Sequence, residues 1–259
     1  MRRVIETTVG DRAPDAYRQE TASAAVSALP AAEPACFSKR FSEEWVFRST
    51  LWNSLRAWSA ARRSKWLRVP QVLKLDAREL RIDFEYLSGW DQVRAVIRDR
   101  TFKGLSGSEL HRMFWTIGAA LEELHRHTRR IHGDFDFDNV LVKPGADRAA
   151  FVDFTPPVYA HFREYNQADP YRDLATFLLG VCAKYPPHLI HLALRPRVRQ
   201  LGRAFLEGYF RHARTAYDGR RLERAMARLL NETYLGESFA GRYLRRSRLF
   251  RIDDLAPGA

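Results

Sequence analysis

Glycine is absent between Gly10 and Gly89. That gap excludes a Gly-rich loop early in the chain, the usual device for letting backbone approach a phosphate. Cysteine is scarce as well. Cys36 and Cys182 stand in apolar contexts with no CxxC or Cys/His spacing. This argues against a thiolate metal site or a disulfide framework and suits two buried thiols. No long hydrophobic run occurs. The best apolar window, LATFLLGVCA at 174–183, is too short to span a bilayer. The opening MRRVIETTVGDRAPD lacks the apolar core of a secretory signal. A cytoplasmic protein is expected, with peripheral attachment at the inner membrane face left open. Internal repeats are absent, and so are helix-turn-helix, zinc-finger and RNP patterns. No nucleic-acid partner is expected.

What is present suits a folded chain. Hydrophobic residues make up 46% and charged residues 29% of 259, enough for a sizeable core. Charge is less ordinary: 43 Lys and Arg stand against 31 Asp and Glu, a net +12. Such a surface suits an anionic partner: a nucleotide, a phosphorylated glycolipid or a membrane face. A solvated Arg-rich surface explains the charge equally well.

Punctuation divides the chain. Residues 1–20 form a polar N-terminal extension. Residues 21–41 predict two short strands around a turn at Pro30 to Pro34, where two close prolines forbid helix. Ser42 predicts a helix cap followed by acids. Trp45, Phe47, Leu51, Trp52, Leu55 and Trp58 predict the inward stripe of a helix reaching about residue 60. LRVPQVLKLD and ELRIDFEYLSGW predict paired strands. Residues 107–129 predict a long helix, and GADRA a turn between strands at 140–142 and 150–152. Beyond Pro170 the pattern is helical, broken at Tyr185-Pro186-Pro187. Strands precede helices, which predicts an α+β chain of two lobes. The β-rich N-lobe is expected at 21–88 and the helical C-lobe at 89–259.

The segment IHGDFDFDNVLV (131–142) carries the chemistry. His132-Gly133-Asp134 and Asn139 form H-x-D-x-x-x-x-N, and Asp153 stands fourteen residues past Asn139. Phosphoryl transfer needs these types. A carboxylate such as Asp134 orients an incoming hydroxyl and takes its proton. Mg²⁺ takes hard oxygen ligands, which Asn139 and Asp153 supply. The alternative for these residues is a turn-rich acidic loop. Asp136 and Asp138 suit solvated or capping roles.

The ordered set is a strand lysine, an acidic helix, FEYLSG, a long helix, HGDxxxxN, VDF and YRDLA. It resembles the kinase-like superfamily, and more closely its aminoglycoside-phosphotransferase-like and lipopolysaccharide (Kdo and heptose) kinase branches. LEELHRHTRRIHGDFDFDNVLV is similar to their LH…HGD…N block. The likeness runs in order over roughly residues 20 to 180.

The resemblance implies a two-lobed fold binding ATP and Mg²⁺. It implies that Asp134 is the catalytic base and that Asn139 and Asp153 hold the metal. Lys39 is expected on the phosphates, with Arg40 as the alternative. Glu44 is expected to pair with Lys39, with Glu43 as the alternative; each could equally be a first-turn acid. Ser23, within ETASAAV, is expected to replace the glycine loop. Glu85, Tyr86 and Leu87 resemble the adenine-binding hinge. Asp173 is expected to hold the catalytic loop through backbone amides, and His132 to pack beside it. Departures are Thr155, where protein kinases carry Gly, and Asp136, where Ser/Thr kinases carry Lys.

The expected activity is ATP-dependent phosphorylation of a non-protein hydroxyl. An anionic saccharide or glycolipid, such as a lipopolysaccharide core sugar, is the expected acceptor. Alternatives are an aminoglycoside- or choline-type kinase, an atypical protein kinase of the RIO type, and a pseudokinase scaffold.

Overall fold

The computed structural model describes residues 3–4, 25–27, 36–98, 106–143, 145–155, 169–184 and 191–232. Five strands form one sheet: β1 (Arg3–Val4), β2 (Ala25–Ser27), β3 (Cys36–Arg40), β5 (Val72–Asp76) and β6 (Arg81–Glu85). Their order is β1-β2-β3-β6-β5, and every pairing is antiparallel. The expected strands on either side of the Pro30–Pro34 turn are thus present and paired. The turn itself lies outside the described residues. Lys39 sits opposite Ile82 in this sheet.

Helix α1 (Glu44–Ala61) follows β3. Its N-cap is Glu43, with no side-chain cap bond, so Ser42 is not the cap. The buried face is Val46, Phe47, Thr50, Ser54, Ala57 and Ala60. Trp45, Trp52 and Leu55, expected to face inward, are exposed. Size explains the reversal. The small Ser54, Ala57 and Ala60 let α1 approach its neighbours closely, and bulky tryptophans on that side would hold it away.

Phe41, Val46, Phe47 and Ile82 form a small core between the sheet and α1. A much larger core lies under the second sheet, ordered β4-β9-β8-β7. Its strands are β4 (Leu67–Arg68), β7 (Asp91–Gln92), β8 (Val140–Val142) and β9 (Ala149–Phe151). β4 runs parallel to β9, and Ala149 N donates to Trp66 O at 2.8 Å. The chain therefore enters the second sheet well before residue 89.

The helices of this region are α2 (Val93–Arg98), α3 (Gly107–Thr128), α4 (Pro170–Lys184), α5 (His191–Phe210) and α6 (Gly219–Glu232). Helix α3 starts with a capping box: Ser106 accepts from Glu109 N, and Glu109 accepts from Ser106 N, satisfying two end amides. Where α3 crosses α5, a Cβ on Gly118 would overlap the Phe205 carbonyl, and one on Gly208 would overlap that of Trp115. The two glycines let the backbones touch. Among the described residues no helix is long and apolar enough to cross a membrane.

Candidate active site

Alternation explains the acids of 134–138. Phe135 and Phe137 are fully buried. Their rings meet Phe151 and Phe177 at 4.8 Å each. The residues between them are turned the other way, so Asp134 and Asp136 reach the surface of a loop anchored by two aromatic rings. Gly133 has φ 91, a left-handed conformation that side-chain-bearing residues rarely adopt.

The hairpin of β8 and β9 brings the remaining groups together. Val140 pairs with Phe151, and Val152 N donates to Asn139 O at 3.0 Å. Asn139 and Asp153 thus emerge side by side. The Asn139 amide nitrogen donates to Asp134 O at 2.8 Å and to Asp134 Oδ2 at 3.1 Å. Those bonds use its donors and leave Oδ1 as an acceptor. Asp153 has φ 58, a strained conformation for a residue with a side chain.

Lys39 reaches this corner from β3. Its Nζ lies 2.6 Å from Asp153 Oδ1 and 2.8 Å from Thr155 Oγ1. The Thr155 hydroxyl also donates to Asp153 Oδ1. Burial acts to raise the Asp153 carboxyl. The Lys39 ammonium and the bonds from Lys39 and Thr155 overcome it and hold the carboxyl below its ordinary 3.8. Asp134 behaves oppositely. Desolvation by the surrounding protein, aided by the Asp136 and Asp153 carboxylates, pushes its carboxyl up despite the nearby His132 and the Asn139 bond. Two carboxyls at one site are driven apart in acidity, an arrangement typical of acid–base chemistry.

Beneath the loop lies Asp173, fully buried on α4. It accepts from His132 N at 2.6 Å and Gly133 N at 2.9 Å, and bonds His125 Nε2 at 2.9 Å. Burial opposes its charge, but the His125 bond and the neighbouring histidines and amides hold its carboxyl below the ordinary value. His125 Nδ1 meets the Tyr209 hydroxyl at 2.9 Å. A chain of bonds from α5 through α3 to α4 therefore fixes the backbone just before Asp134. His132 is buried, with Nε2 on Val152 O at 2.9 Å and its ring 4.7 Å from Phe154. That placement packs the imidazole beneath the loop.

Not every expected residue arrives. Glu44 is exposed and pairs with Arg48 at 2.6 Å, and Glu43 accepts from Trp45 Nε1. Neither acid reaches Lys39. Arg40 pairs with Glu79 at 3.0 Å and plays no part in the cluster. Ser23 and ETASAAV lie outside the described residues. Glu85 ends β6 at the expected position. Its carboxylate pairs with Arg68 and accepts from Gln71 N, and Leu87 beside it is buried. Asp138 pairs with Arg94 at 2.9 Å, and Asp136 Oδ1 accepts from Phe137 N at 2.6 Å.

The sequence reading missed His125, Tyr209 and the bonding of Thr155. His125 stood in the quoted LH…HGD block with no role given. Thr155 differs from the Gly of protein kinases, and that difference alone does not reveal its bond to Asp153. Nothing local marks Tyr209, which lies 84 positions from His125.

Asn139 and Asp153 offer two adjacent oxygen donors of the type Mg²⁺ prefers. Among the described residues no group of three or more His, Cys, Asp or Glu is arranged to hold a metal. A hard cation would therefore need further oxygens from a phosphate and water, the usual condition for Mg²⁺ at nucleotide sites.

Neither a protein-family model nor a curated protein matches the chain. Solved structures do. One, WaaP in complex with acyl carrier protein, is 13% identical with a TM-score of 0.50 over 91% of this chain and 88% of that one. The kinase domain of Mycobacterium tuberculosis PknI is 19% identical, with a TM-score of 0.45 over 72% and 84%. A double mutant of that domain gives 18% and 0.47 over 80% and 89%. With its small antiparallel sheet, its helical second region and its loop clamped by a buried aspartate, this chain has the kinase-like fold.

Proposed function

We propose that this protein is an ATP-dependent phosphotransferase acting on a hydroxyl of a non-protein acceptor. The observation that supports it best is the convergence of Lys39, Asp134, Asn139 and Asp153 from three segments onto one corner. The acceptor hydroxyl binds beside Asp134, whose raised pKa suits it to take the proton. The hydroxyl oxygen bonds to the γ-phosphorus as the bond to the β–γ bridging oxygen breaks, and ADP leaves. Asn139 and Asp153 would hold Mg²⁺, which when bound offsets charge on the phosphates. Lys39 turns from Asp153 to the phosphates. The backbone at Glu85 and Leu87 receives the adenine edge.

A saccharide or glycolipid such as a lipopolysaccharide core sugar is the acceptor this reading favours. Asp136 stands where Ser/Thr protein kinases carry Lys, and the net charge of +12 suits an anionic acceptor. One observation favours a second reading, a nucleotide-binding scaffold: Lys39 is paired with Asp153 and with no acid of α1.

Incubation with γ-labelled ATP, Mg²⁺ and phosphorylated glycans tests the proposal. Label on the glycan, lost in Asp134→Asn, is expected. Label on protein overturns the acceptor class. Nucleotide binding without transfer to any acceptor supports the scaffold.

A further inference from the structure

Helix α1 carries large apolar side chains on the wrong side for a core. Trp45 is 50% exposed, Trp52 57% and Leu55 39%. At 100° per residue they share one stripe with Arg48 and Arg56. The Arg56 guanidinium lies 5.1 Å from the Trp52 ring centre. From residue 43 to 65 the cations are Arg48, Arg56, Arg62, Arg63 and Lys65, and the acids are Glu43, which accepts from Trp45 Nε1, and Glu44. Glu44 is already paired with Arg48. The opposite face of α1 is filled by the cores, so the tryptophans serve no packing role there.

We infer that the outward face of α1 is a docking surface for an anionic lipid bilayer. Three features choose this occupant. Tryptophan favours the headgroup boundary, where its ring is buried and its N–H keeps a polar partner, as Trp45 Nε1 does on Glu43. Arginines flanking the aromatic stripe meet lipid phosphates while their stems lie along apolar surface. Five cations stand against two acids between residues 43 and 65, and one of the acids is held by Arg48, so the face offers net positive charge to anionic headgroups. The same helix touches the catalytic corner from its side, since Asn53 Nδ2 donates to Phe154 O at 3.3 Å. A membrane-seated α1 would thus bring the cleft close to acceptors embedded in the bilayer. Docking stands whether or not the cleft transfers phosphate.

Vesicle flotation tests this with the full chain, comparing phosphatidylcholine alone with phosphatidylcholine mixed with phosphatidylglycerol. Binding to the mixed vesicles alone is expected, weakening with salt. Trp45→Ala with Trp52→Ala should weaken it on the order of tenfold at an unchanged melting temperature. Arg48→Glu with Arg56→Glu should do the same, and Asp153→Asn should bind as the parent does. Equal binding by the tryptophan variant would overturn the inference. So would a chain that forms a dimer through Trp52 in solution and ignores vesicles, because the face would then belong to a second copy.

Discussion

Lys39 on β3 and Asp153 just past the end of β9 lie 114 positions apart, and their side chains meet at 2.6 Å. The bond ties β3 to the residue leaving β9, so the two regions of the fold are joined through the pair that handles phosphate and metal in the proposed reaction. In this state the lysine holds the carboxylate. A triphosphate would have to draw the ammonium away, leaving the carboxylate for the cation.

Removing the lysine exposes what it does to Asp153. The folded carboxyl lies below 3.8, so its ionisation stabilises the fold above pH 3.8 and that contribution is lost as pH falls through the lower folded value. In Lys39→Met the burial effect meets less opposition and the carboxyl rises. The variant should be less stable at neutral pH, by no more than about 1 kcal/mol given the partial exposure of the pair. The gap should close in acid. Melting curves from pH 7 downward check this.

Asp173→Asn should act on both fold and rate. The amide cannot accept from two backbone N–H groups and His125 as the carboxylate does. A loss of about 2–3 kcal/mol is expected at pH 7. That difference should shrink as pH falls below 3.8 and through the lower folded value, where the parent's Asp173 is protonated as well. Loosening the backbone before Asp134 should lower kcat by about 100-fold. Denaturant titration and steady-state rates measure the two effects separately.

Asp134→Asn should separate activity from stability. The Asp134 carboxyl is raised in the fold, so its charge costs stability at pH values above its folded value. Neutralising it should raise the melting temperature at pH 7 while cutting transfer by about 100- to 10,000-fold. Asp136→Asn removes a like charge. It should shift the acid limb of the rate profile to lower pH.

The α3–α5 crossing offers a purely structural test. A Cβ on Gly208 has no space beside the Trp115 carbonyl. Gly208→Ala should cost about 2–3 kcal/mol and lower the melting point by roughly 4–12 °C.

What could be read in the sequence was local. The hairpin, the loop from His132 to Asn139 and helix α3 are set by short-range pattern, and each lies close to its expected place. The inner face of α1 was misread because hydrophobicity alone ranks Trp52 above Ala57, and close packing against a second layer reverses that order. The pairing of Glu44 with Lys39 failed for another reason. A spacing of five residues fixes neither the helix direction nor which way its first turn points. The bonds from Tyr209 through His125 to Asp173 join three helices, and no local spacing reveals them.

The most direct measurement is thermal unfolding with ATP, with and without Mg²⁺, for the parent chain and Asp153→Asn. The proposed site predicts a rise of about 5–10 °C at roughly 100 times the Kd, requiring Mg²⁺ in the parent and absent in the variant. No rise in the parent at ATP well above millimolar would contradict it.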